Sequence, residues 1–255
     1  MGIASAFSNF LNFLIPKTKK PKFTSAVIVA GGSSTRMGGV SKQMASLCGV
    51  PVVVHTLLAF ERCDDIKEII VVAKADEIGR YEEFKSAYNL TKLKKAVVGG
   101  DSRQRSVEKG FAVISEKCEF VAIHDGARCL ITPEEISEVC AAAYTHNAAT
   151  AAVKAIDTVK IANSNGFIES TPDRNTVWHA QTPQVFFADL YRAAVAVGRQ
   201  DEITATDDCS LVEHIEHPIK LVECSRDNVK ITTARDLTFA ASVIKSRAPK
   251  KESEK

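Results

Sequence analysis

The sequence predicts an α/β protein in which a mostly parallel sheet is flanked by helices and carries a protruding β-hairpin arm. Two patterns lead to this prediction. Short apolar runs alternate with segments of helical periodicity, and this order is typical of parallel sheets that are covered by helices on both faces. From about 155 to 178 the polarity alternates on either side of Asn163-Ser164-Asn165-Gly166, which predicts a hairpin with Asn-Gly at its tip.

The individual elements follow from the same periodicities. Strands are predicted at the apolar runs 26–29, 68–72, 95–98, 120–124, 149–153 and 219–222. Helices are predicted where apolar residues recur every three or four positions, at 51–62, 78–88, 102–114, 133–143, 187–194, 207–215 and 237–244. One helix has the clearest start, because Thr132, Pro133 and Glu135 occupy the N-cap, first helical and capping-box positions.

Composition favours a single folded domain. A chain of 255 residues with 45% hydrophobic residues is long enough for one large domain, which we place at residues 24–246. Its net charge of +2 creates no long-range field of the kind that nucleic-acid-binding proteins show, so we expect no nucleic-acid partner. The seven cysteines include no C-x-x-C pair, and their odd number favours reduced thiols and a cytoplasmic location.

The two ends of the chain differ from the rest. Residues 1–23 form an apolar and then basic leader that is too short and too interrupted to span a bilayer, so we expect no stable membrane insertion. A flexible leader is the favoured interpretation, and a weak amphipathic element that docks on a membrane surface or a partner is the alternative. Residues 247–255 are charged, poor in apolar side chains and predicted to be disordered.

The loop after the first predicted strand has the composition of an anion site. Ala30, Gly31, Gly32 and the two serines that follow have little side-chain bulk, so their backbone N–H groups can approach an anion closely. Arg36 and Lys42 add a guanidinium and an ammonium group. The spacing matches neither G-x-x-x-x-G-K-[ST] nor G-x-G-x-x-G, which disfavours an ATPase or a dinucleotide dehydrogenase. A polyphosphate site is therefore predicted, with an ordinary turn of small residues as the alternative.

Two later strands end in residues of similar character. Gly99-Gly100-Asp101 follows the strand at 95–98, and Asp125 follows the strand at 120–124. The carboxyl ends of parallel strands meet at one edge of a sheet, where ligands bind in such folds. We therefore expect the three loops to form one site.

Seven segments, in order along the chain, resemble the 2-C-methyl-D-erythritol 4-phosphate cytidylyltransferases of the non-mevalonate isoprenoid pathway. They are AGGSSTRM, VGGDSRQRSV, AIHDGARC, DTVK, DRNTVWHAQTPQVF, TATDD and DNVKIT. The resemblance implies a Rossmann-like domain of the nucleotide-diphospho-sugar transferase type, with an arm that completes the site of the neighbouring subunit in a homodimer. It also implies transfer of CMP from CTP to 2-C-methyl-D-erythritol 4-phosphate, which gives the CDP-alcohol and pyrophosphate.

The residues that match the family's motifs take their expected roles from this resemblance. The implied catalytic residues are Arg36, Lys42 and Lys230. The implied CTP-binding residues are Ala30, Gly31, Gly32, Gly100, Asp101, Ser106, Asp125 and Gly126, and the implied substrate-binding residues are Arg128, Thr158, Arg174, Thr182 and Thr206. Thr158 and Arg174 lie on or beside the arm, which implies that the partner subunit donates them. Mg²⁺ is expected because it bridges phosphate oxygens with few protein ligands, and Asp125 is the candidate metal ligand.

Three other functions remain open from the sequence. Ribitol 5-phosphate cytidylyltransferases share most of these motifs and catalyse the same chemistry on another alcohol. A nucleotidyltransferase of sugar 1-phosphates is disfavoured by the segments DTVK, DRN and GGDSRQRS. A catalytically silent nucleotide-binding subunit is disfavoured because Arg36, Lys42, Asp125 and Lys230 are all present.

Overall fold

The computed structural model describes residues 22–32 and 41–248. These ranges contain a seven-stranded sheet flanked by helices, which confirms the predicted α/β class. Most of the predicted leader, Arg36 of the phosphate loop and the chain after residue 248 lie outside the described residues.

The predicted strands and helices are all present, with somewhat different ends. The strands are β1 (Thr24–Val29), β2 (Ser46–Leu47), β3 (Val50–Pro51), β4 (Ile66–Ala73), β5 (Leu93–Val98), β6 (Phe120–Asp125), β7 (Ala148–Lys154), β8 (Ile161–Ala162), β9 (Ile168–Ser170), β10 (Trp178–Phe187) and β11 (Lys220–Glu223). The helices are α1 (Val52–Arg62), α2 (Ile78–Ala87), α3 (Arg103–Phe111), α4 (Pro133–His146), α5 (Ala188–Gln200), α6 (Asp208–His214) and α7 (Ala234–Arg247).

The main sheet has the strand order β11-β7-β10-β6-β1-β4-β5. β1 pairs in parallel with β4 and β6, β4 with β5, and β7 with β11. β10 runs antiparallel to both β6 and β7. The sheet is therefore mostly parallel, as predicted, and β1, β5 and β6 end at the same edge.

β10, which lies between β6 and β7, was not predicted from the sequence. Its sequence includes Pro183 and the buried Gln184, which break the apolar pattern by which strands are recognised. The register between β10 and β7 shifts between Ala180 and Gln184, so the proline lies where the ladder is interrupted. Gln184 is tolerated in the interior because its Oε1 accepts a hydrogen bond from the backbone N–H of Asp208 at 3.0 Å.

Both faces of the sheet are buried. On β1, Ala26 and Ile28 pack on one face and Val27 on the other, because successive side chains of a strand point to opposite sides. Helices α1, α2 and α4 cover the first face, and α3, α5 and α6 cover the second. Burial on both faces explains why the parallel strands consist of continuous apolar runs. The loops at the carboxyl ends of these strands therefore rest on a packed core.

The start of α4 confirms the predicted capping box. The hydroxyl of Thr132 accepts from the N–H of Glu135 at 3.3 Å, and the carboxylate of Glu135 accepts from the N–H of Thr132 at 3.0 Å. The second oxygen of Glu135 accepts from the N–H of Ser225 at 2.6 Å. The cap of α4 therefore also anchors the segment that follows β11.

The predicted β-hairpin arm is present after β7. Its strands β8 and β9 are antiparallel, and Gly166 at the turn has a φ of +82°, a conformation that glycine adopts without strain. Both strands are exposed along their whole length. Phe167 and Ile168 are 72% and 64% exposed, so the arm presents an apolar surface.

Candidate active site

A cleft of about 350 Å³ opens at the carboxyl ends of β1, β5 and β6. Its walls are the loops after these strands, the first turn of α3 and the segment before α7. The three loops that the sequence analysis expected to form one site do so. The predicted site residues that line the cleft are Gly31, Gly32, Lys42, Gly100, Asp101, Ser106, Asp125 and Lys230.

The carboxylate of Asp125, the last residue of β6, is the centre of a cluster of charges. Lys230 Nζ lies 2.8 Å from Oδ2, Arg103 Nε lies 3.3 Å from Oδ1, and Arg128 Nε lies 3.7 Å from Oδ2. Burial opposes ionisation of this carboxylate, but the charges of Arg103 and Lys230 outweigh burial and hold the pKa of Asp125 well below its usual range. The cluster has more positive than negative groups, which suits a polyphosphate.

Lys230 reaches the cleft because its segment is anchored on both sides of the lysine, first to β10 and then to the loop after β6. Before it, the side-chain amide of the buried Asn228 donates to the carbonyl of Thr182 at 2.9 Å. After it, the N–H of Ile231 donates to the carbonyl of Ala127 at 2.8 Å. These two anchors place the lysine beside the end of β6.

The opposite wall is built from the glycine turn after β5 and the start of α3. The hydroxyl of Ser106 donates to the carbonyl of Ser102 at 2.8 Å and accepts from the N–H of Gly100 at 3.0 Å. A Cβ atom at Gly100 would lie 2.5 Å from Cβ of Arg105, so this position requires glycine. Ser106 therefore shapes the turn that forms this wall.

A directional chain of hydrogen bonds lies behind Asp125. Burial lowers the pKa of His124 to about 3, so its ring is neutral. Its Nε2 donates to the carbonyl of Arg128 at 3.1 Å, because a carbonyl can only accept, and its Nδ1 therefore accepts from the hydroxyl of Thr182 at 3.0 Å. Thr182 Oγ1 in turn accepts from the N–H of Asp125 at 3.1 Å. These hydrogen bonds hold both Asp125 and Arg128 in place. The hydroxyl proton of Thr182 is donated to His124.

Four other predicted site residues do not line the cleft but adjoin or contact residues that do, and these are Ala30, Gly126, Arg128 and Thr182. Both backbone hydrogen-bonding groups of Gly126 are used within the fold. Its N–H donates to the carbonyl of Val29 at 2.9 Å, and its carbonyl accepts from the hydroxyl of Thr56 at 3.0 Å. Gly126 therefore helps to join β6 to β1 next to the cleft.

The remaining predicted residues lie apart from the cleft of their own chain. Thr206 is exposed before α6, with its hydroxyl 3.3 Å from that of Ser210. Thr158 and Arg174 are exposed on the arm. Arg36 lies outside the described residues.

Comparison with known proteins identifies the family. The family model described as IspD: 2-C-methyl-D-erythritol 4-phosphate cytidylyltransferase matches residues 24–246. The chain belongs to this family. The 2-C-methyl-D-erythritol 4-phosphate cytidylyltransferase of Caldanaerobacter subterraneus subsp. tengcongensis is 44% identical over 218 residues, which are 85% of this chain and 96% of the relative. That of Syntrophus aciditrophicus is 42% identical over 228 residues, which are 89% of this chain and 97% of the relative.

A solved structure has the same fold. The crystal structure of 4-diphosphocytidyl-2C-methyl-D-erythritol synthase from Anaerococcus prevotii matches with a TM-score of 0.80 at 30% identity, and the match covers 88% of this chain and 97% of that one. The predicted family and fold are thereby confirmed. The predicted activity is confirmed as well: the chain is a cytidylyltransferase that transfers CMP from CTP to 2-C-methyl-D-erythritol 4-phosphate.

Five residues that line this cytidylyltransferase cleft were not predicted from the sequence, and they are Val29, Gln43, Ser102, Arg103 and Ala127. Arg103 is the first residue of α3 and contacts Asp125, and Gln43 is buried with its Oε1 lacking a hydrogen-bond partner among the described residues. The position of Arg103 in the sequence could have predicted this role. It begins a helix directly after the glycine turn that ends β5, and such a position lies near the carboxyl ends of the neighbouring strands. Gln43 carries no comparable signal.

Three further predictions concern a metal ion, membrane insertion and the location of the enzyme in the cell. Within residues 22–32 and 41–248, no group of three or more His, Cys, Asp and Glu side chains is arranged to hold a metal ion. In the same ranges, no helix has both the length and the apolar character needed to cross a bilayer. A cytoplasmic location stays a prediction from the cysteine pattern.

Proposed function

We propose that the cleft around Asp125 binds CTP, with the phosphates near Lys42 and Lys230, and that cytidylyl transfer takes place there. The observation that carries this proposal is the charge cluster, in which Asp125 stays ionised beside Lys230 and Arg103. The cleft also has a glycine-rich wall whose backbone can approach a ligand closely. Cations together with exposed backbone amides are the groups with which proteins bind polyphosphates.

The glycine-rich wall is suited to the cytosine base. The N–H of Ala30 donates to a carbonyl of β4 at 2.7 Å, and that of Gly100 donates to Ser106 at 3.0 Å, so these two amides are used within the fold. The N–H groups of Gly31 and Asp101 form no hydrogen bond with another described residue, and we assign them to the nucleotide. A small pocket of fixed backbone groups favours a pyrimidine over the larger purines.

The reaction needs positive charge rather than a general base. An oxygen of the acceptor's phosphate, which is ionised at neutral pH, forms a bond to the α-phosphorus of CTP. The bond from that phosphorus to the oxygen bridging the β-phosphate breaks, and pyrophosphate leaves without a proton transfer. Lys42 and Lys230 neutralise the charge that develops on the transferred and leaving groups. The family resemblance assigns the same role to Arg36.

We treat Mg²⁺ as an ion that arrives bound to CTP, so that Mg²⁺·CTP is the substrate. Each oxygen of Asp125, the predicted metal ligand, is contacted by a cation, Lys230 at 2.8 Å and Arg103 at 3.3 Å. A metal ion would have to displace these cations, so the residues present do not fit a resident ion on Asp125. Mg²⁺ keeps several waters and bridges phosphate oxygens readily, which suits delivery by the nucleotide. Asp125 then serves to hold the lysine and the arginine in the cleft.

We propose that the arm of one subunit completes the cleft of its partner in a homodimer. Thr158 and Arg174 are exposed on the arm and do not line the cleft of their own chain. Phe167 and Ile168 expose apolar surface that a second copy of the chain would cover. In this arrangement the partner's arm brings Arg174 to the phosphate of the acceptor.

The release of pyrophosphate from CTP and Mg²⁺ tests this function. We expect rapid release with 2-C-methyl-D-erythritol 4-phosphate and little release with ribitol 5-phosphate. Preference for ribitol 5-phosphate would change the acceptor but leave the site in place. Release with neither acceptor would overturn the proposed site chemistry and favour a silent nucleotide-binding subunit. Replacing CTP by ATP tests the base assignment, and equal rates with the two nucleotides would contradict it.

A further inference from the structure

Arg103 bridges two carboxylates that belong to different parts of the fold. Its Nε lies 3.3 Å from Oδ1 of Asp125 at the end of β6, and its Nη1 lies 2.7 Å from Oδ2 of Asp208 at the start of α6. Its Nη2 forms no hydrogen bond with any other residue of the described ranges, and the side chain lines the cleft. The guanidinium is thus held from two sides, with donor capacity left for a ligand.

Asp208 is itself held by the core. Its side chain is 2% exposed, and the hydroxyl of Tyr191 donates to its Oδ1 at 2.7 Å. Its backbone N–H donates to Oε1 of Gln184 at 3.0 Å. Tyr191 is fully buried and stacks on Phe186. The packing of the core therefore determines where Asp208, and with it Arg103, can lie.

The two contacts of Arg103 differ in strength. The hydrogen bond to Asp208 is shorter than the one to Asp125, and shorter charge-assisted hydrogen bonds are stronger. Burial raises the pKa of Asp208, and the charge of Arg103 opposes this and favours its ionised form. Asp208 is therefore the stronger of the two anchors, and a ligand at Nη2 leaves both carboxylates in contact with the guanidinium.

We infer that Arg103 is a nucleotide-binding residue of the cleft, and that Asp208 and Tyr191 position its guanidinium. The inference rests on the proposed binding of CTP around Asp125. The group that Arg103 binds is an acceptor oxygen of the nucleotide, because a guanidinium only donates hydrogen bonds. Asp208 and Tyr191 lie behind Arg103 and act through it.

Two variants that each lose one tyrosine hydroxyl test the inference. Tyr191→Phe removes the hydrogen bond to Asp208, whereas the control Tyr144→Phe removes a hydroxyl that bonds Thr24 at 2.7 Å, away from the cleft. We expect Tyr191→Phe to raise the Kd and KM for CTP about fivefold, the size expected from one hydrogen bond. We expect kcat and the KM for the acceptor to stay within about twofold, because the contact is equally strong in the ground and transition states. Tyr144→Phe should leave all these constants unchanged.

Arg103→Lys provides a second variant, because lysine keeps the charge but cannot contact both carboxylates as a planar guanidinium does. We expect its KM for CTP to rise by about tenfold or more, with the acceptor's KM unchanged. If both variants lower only kcat, or raise both KM values equally, the cluster merely supports the fold and the inference is wrong. Calorimetric titration with Mg²⁺·CTP measures binding without turnover, so it tests Arg103 even if the wild-type chain releases no pyrophosphate. The absence of pyrophosphate release would overturn the proposed function, not the role of Arg103 in binding.

Discussion

Lys230 and Asp125 face each other at the cleft, with Nζ of the lysine 2.8 Å from Oδ2 of the aspartate. Asp125 ends β6, a strand that is buried along its whole length. Lys230 lies on an irregular segment between β11 and α7. The ion pair therefore holds a flexible side chain on a rigid element before the substrate arrives. A cation that is placed in advance stabilises developing charge without having to reorganise during the reaction.

Lys230→Met removes this charge and keeps most of the side-chain volume. We expect kcat to fall about 10²- to 10³-fold, the loss that is typical when one electrostatic contact to the transition state is removed. The measurement is the release of pyrophosphate with both substrates saturating. Lys245→Met, on the exposed side of α7, is the matched control and should retain full activity. A loss of less than about tenfold in Lys230→Met would remove the lysine from the catalytic residues.

Gly100→Ala tests the glycine-rich wall. The added methyl group would lie 2.5 Å from Cβ of Arg105, so the turn has to move and its hydrogen bond to Ser106 is lost. We expect the KM for CTP to rise about tenfold, which corresponds to roughly 1.4 kcal/mol, while the acceptor's KM changes little. Gly79→Ala is the matched control, because nothing lies within 4 Å of a Cβ atom at that position. Equal effects of the two substitutions on CTP binding would contradict the assignment of this wall to the nucleotide.

The sequence predicted the parts of the site whose signals are local. Asp125 follows an apolar run, and because the carboxyl ends of parallel strands meet at one edge of the sheet, this was enough to place it at that edge. Arg103 was not recognised, because in a charged helical segment it resembles a surface residue, and its partner Asp208 is 105 residues away. β10 was missed for a related reason. Pro183 lies at an irregularity of the strand pairing, and Gln184 accepts a buried hydrogen bond from a distant segment, and neither feature is visible in the local sequence. Contacts between distant segments leave no periodic signal in the sequence.

The neutral ring of His124 makes stability depend on pH. Burial lowers its pKa from the ordinary value of 6.5 to about 3, so between these pH values the unfolded chain binds a proton that the folded chain does not. The contribution of this group is therefore fully present above pH 6.5 and is lost as the pH falls toward 3. The expected slope is about 1.4 kcal/mol of unfolding free energy per pH unit.

Urea unfolding between pH 7 and pH 4.5 measures this slope in the wild type and in His124→Asn. The asparagine amide can accept the hydrogen bond of Thr182 but does not titrate, so we expect the variant to be less stable at pH 7 and to lose stability less steeply on acidification. His217→Asn is a comparison variant: burial also lowers the pKa of His217, so its replacement should likewise make the loss of stability on acidification less steep, at a site away from the cleft. Parallel curves for the wild type and His124→Asn would show that burial does not lower the pKa of His124, and the stability prediction for this group would then be wrong.

Complementation between two defective variants tests whether the arm completes the partner's cleft. Lys42→Ala should abolish activity through the cleft in which it lies, and Arg174→Ala should mainly impair use of the acceptor phosphate. Each variant by itself forms dimers with two defective clefts. In a mixed dimer, one cleft carries both changes, whereas the other combines an intact Lys42 with the partner's intact Arg174.

The mixed dimer is obtained by expressing the two variants together with different tags and purifying through both. If arms are exchanged, one of its two clefts is intact, and we expect about half of the wild-type activity per dimer. If each chain built its cleft from its own residues, every cleft would be defective and no activity would return. Dimers of each variant with itself, purified in the same way, give the background to subtract. An inactive mixed dimer would therefore place Arg174 with its own chain, and the exposed Phe167 and Ile168 would then need another explanation.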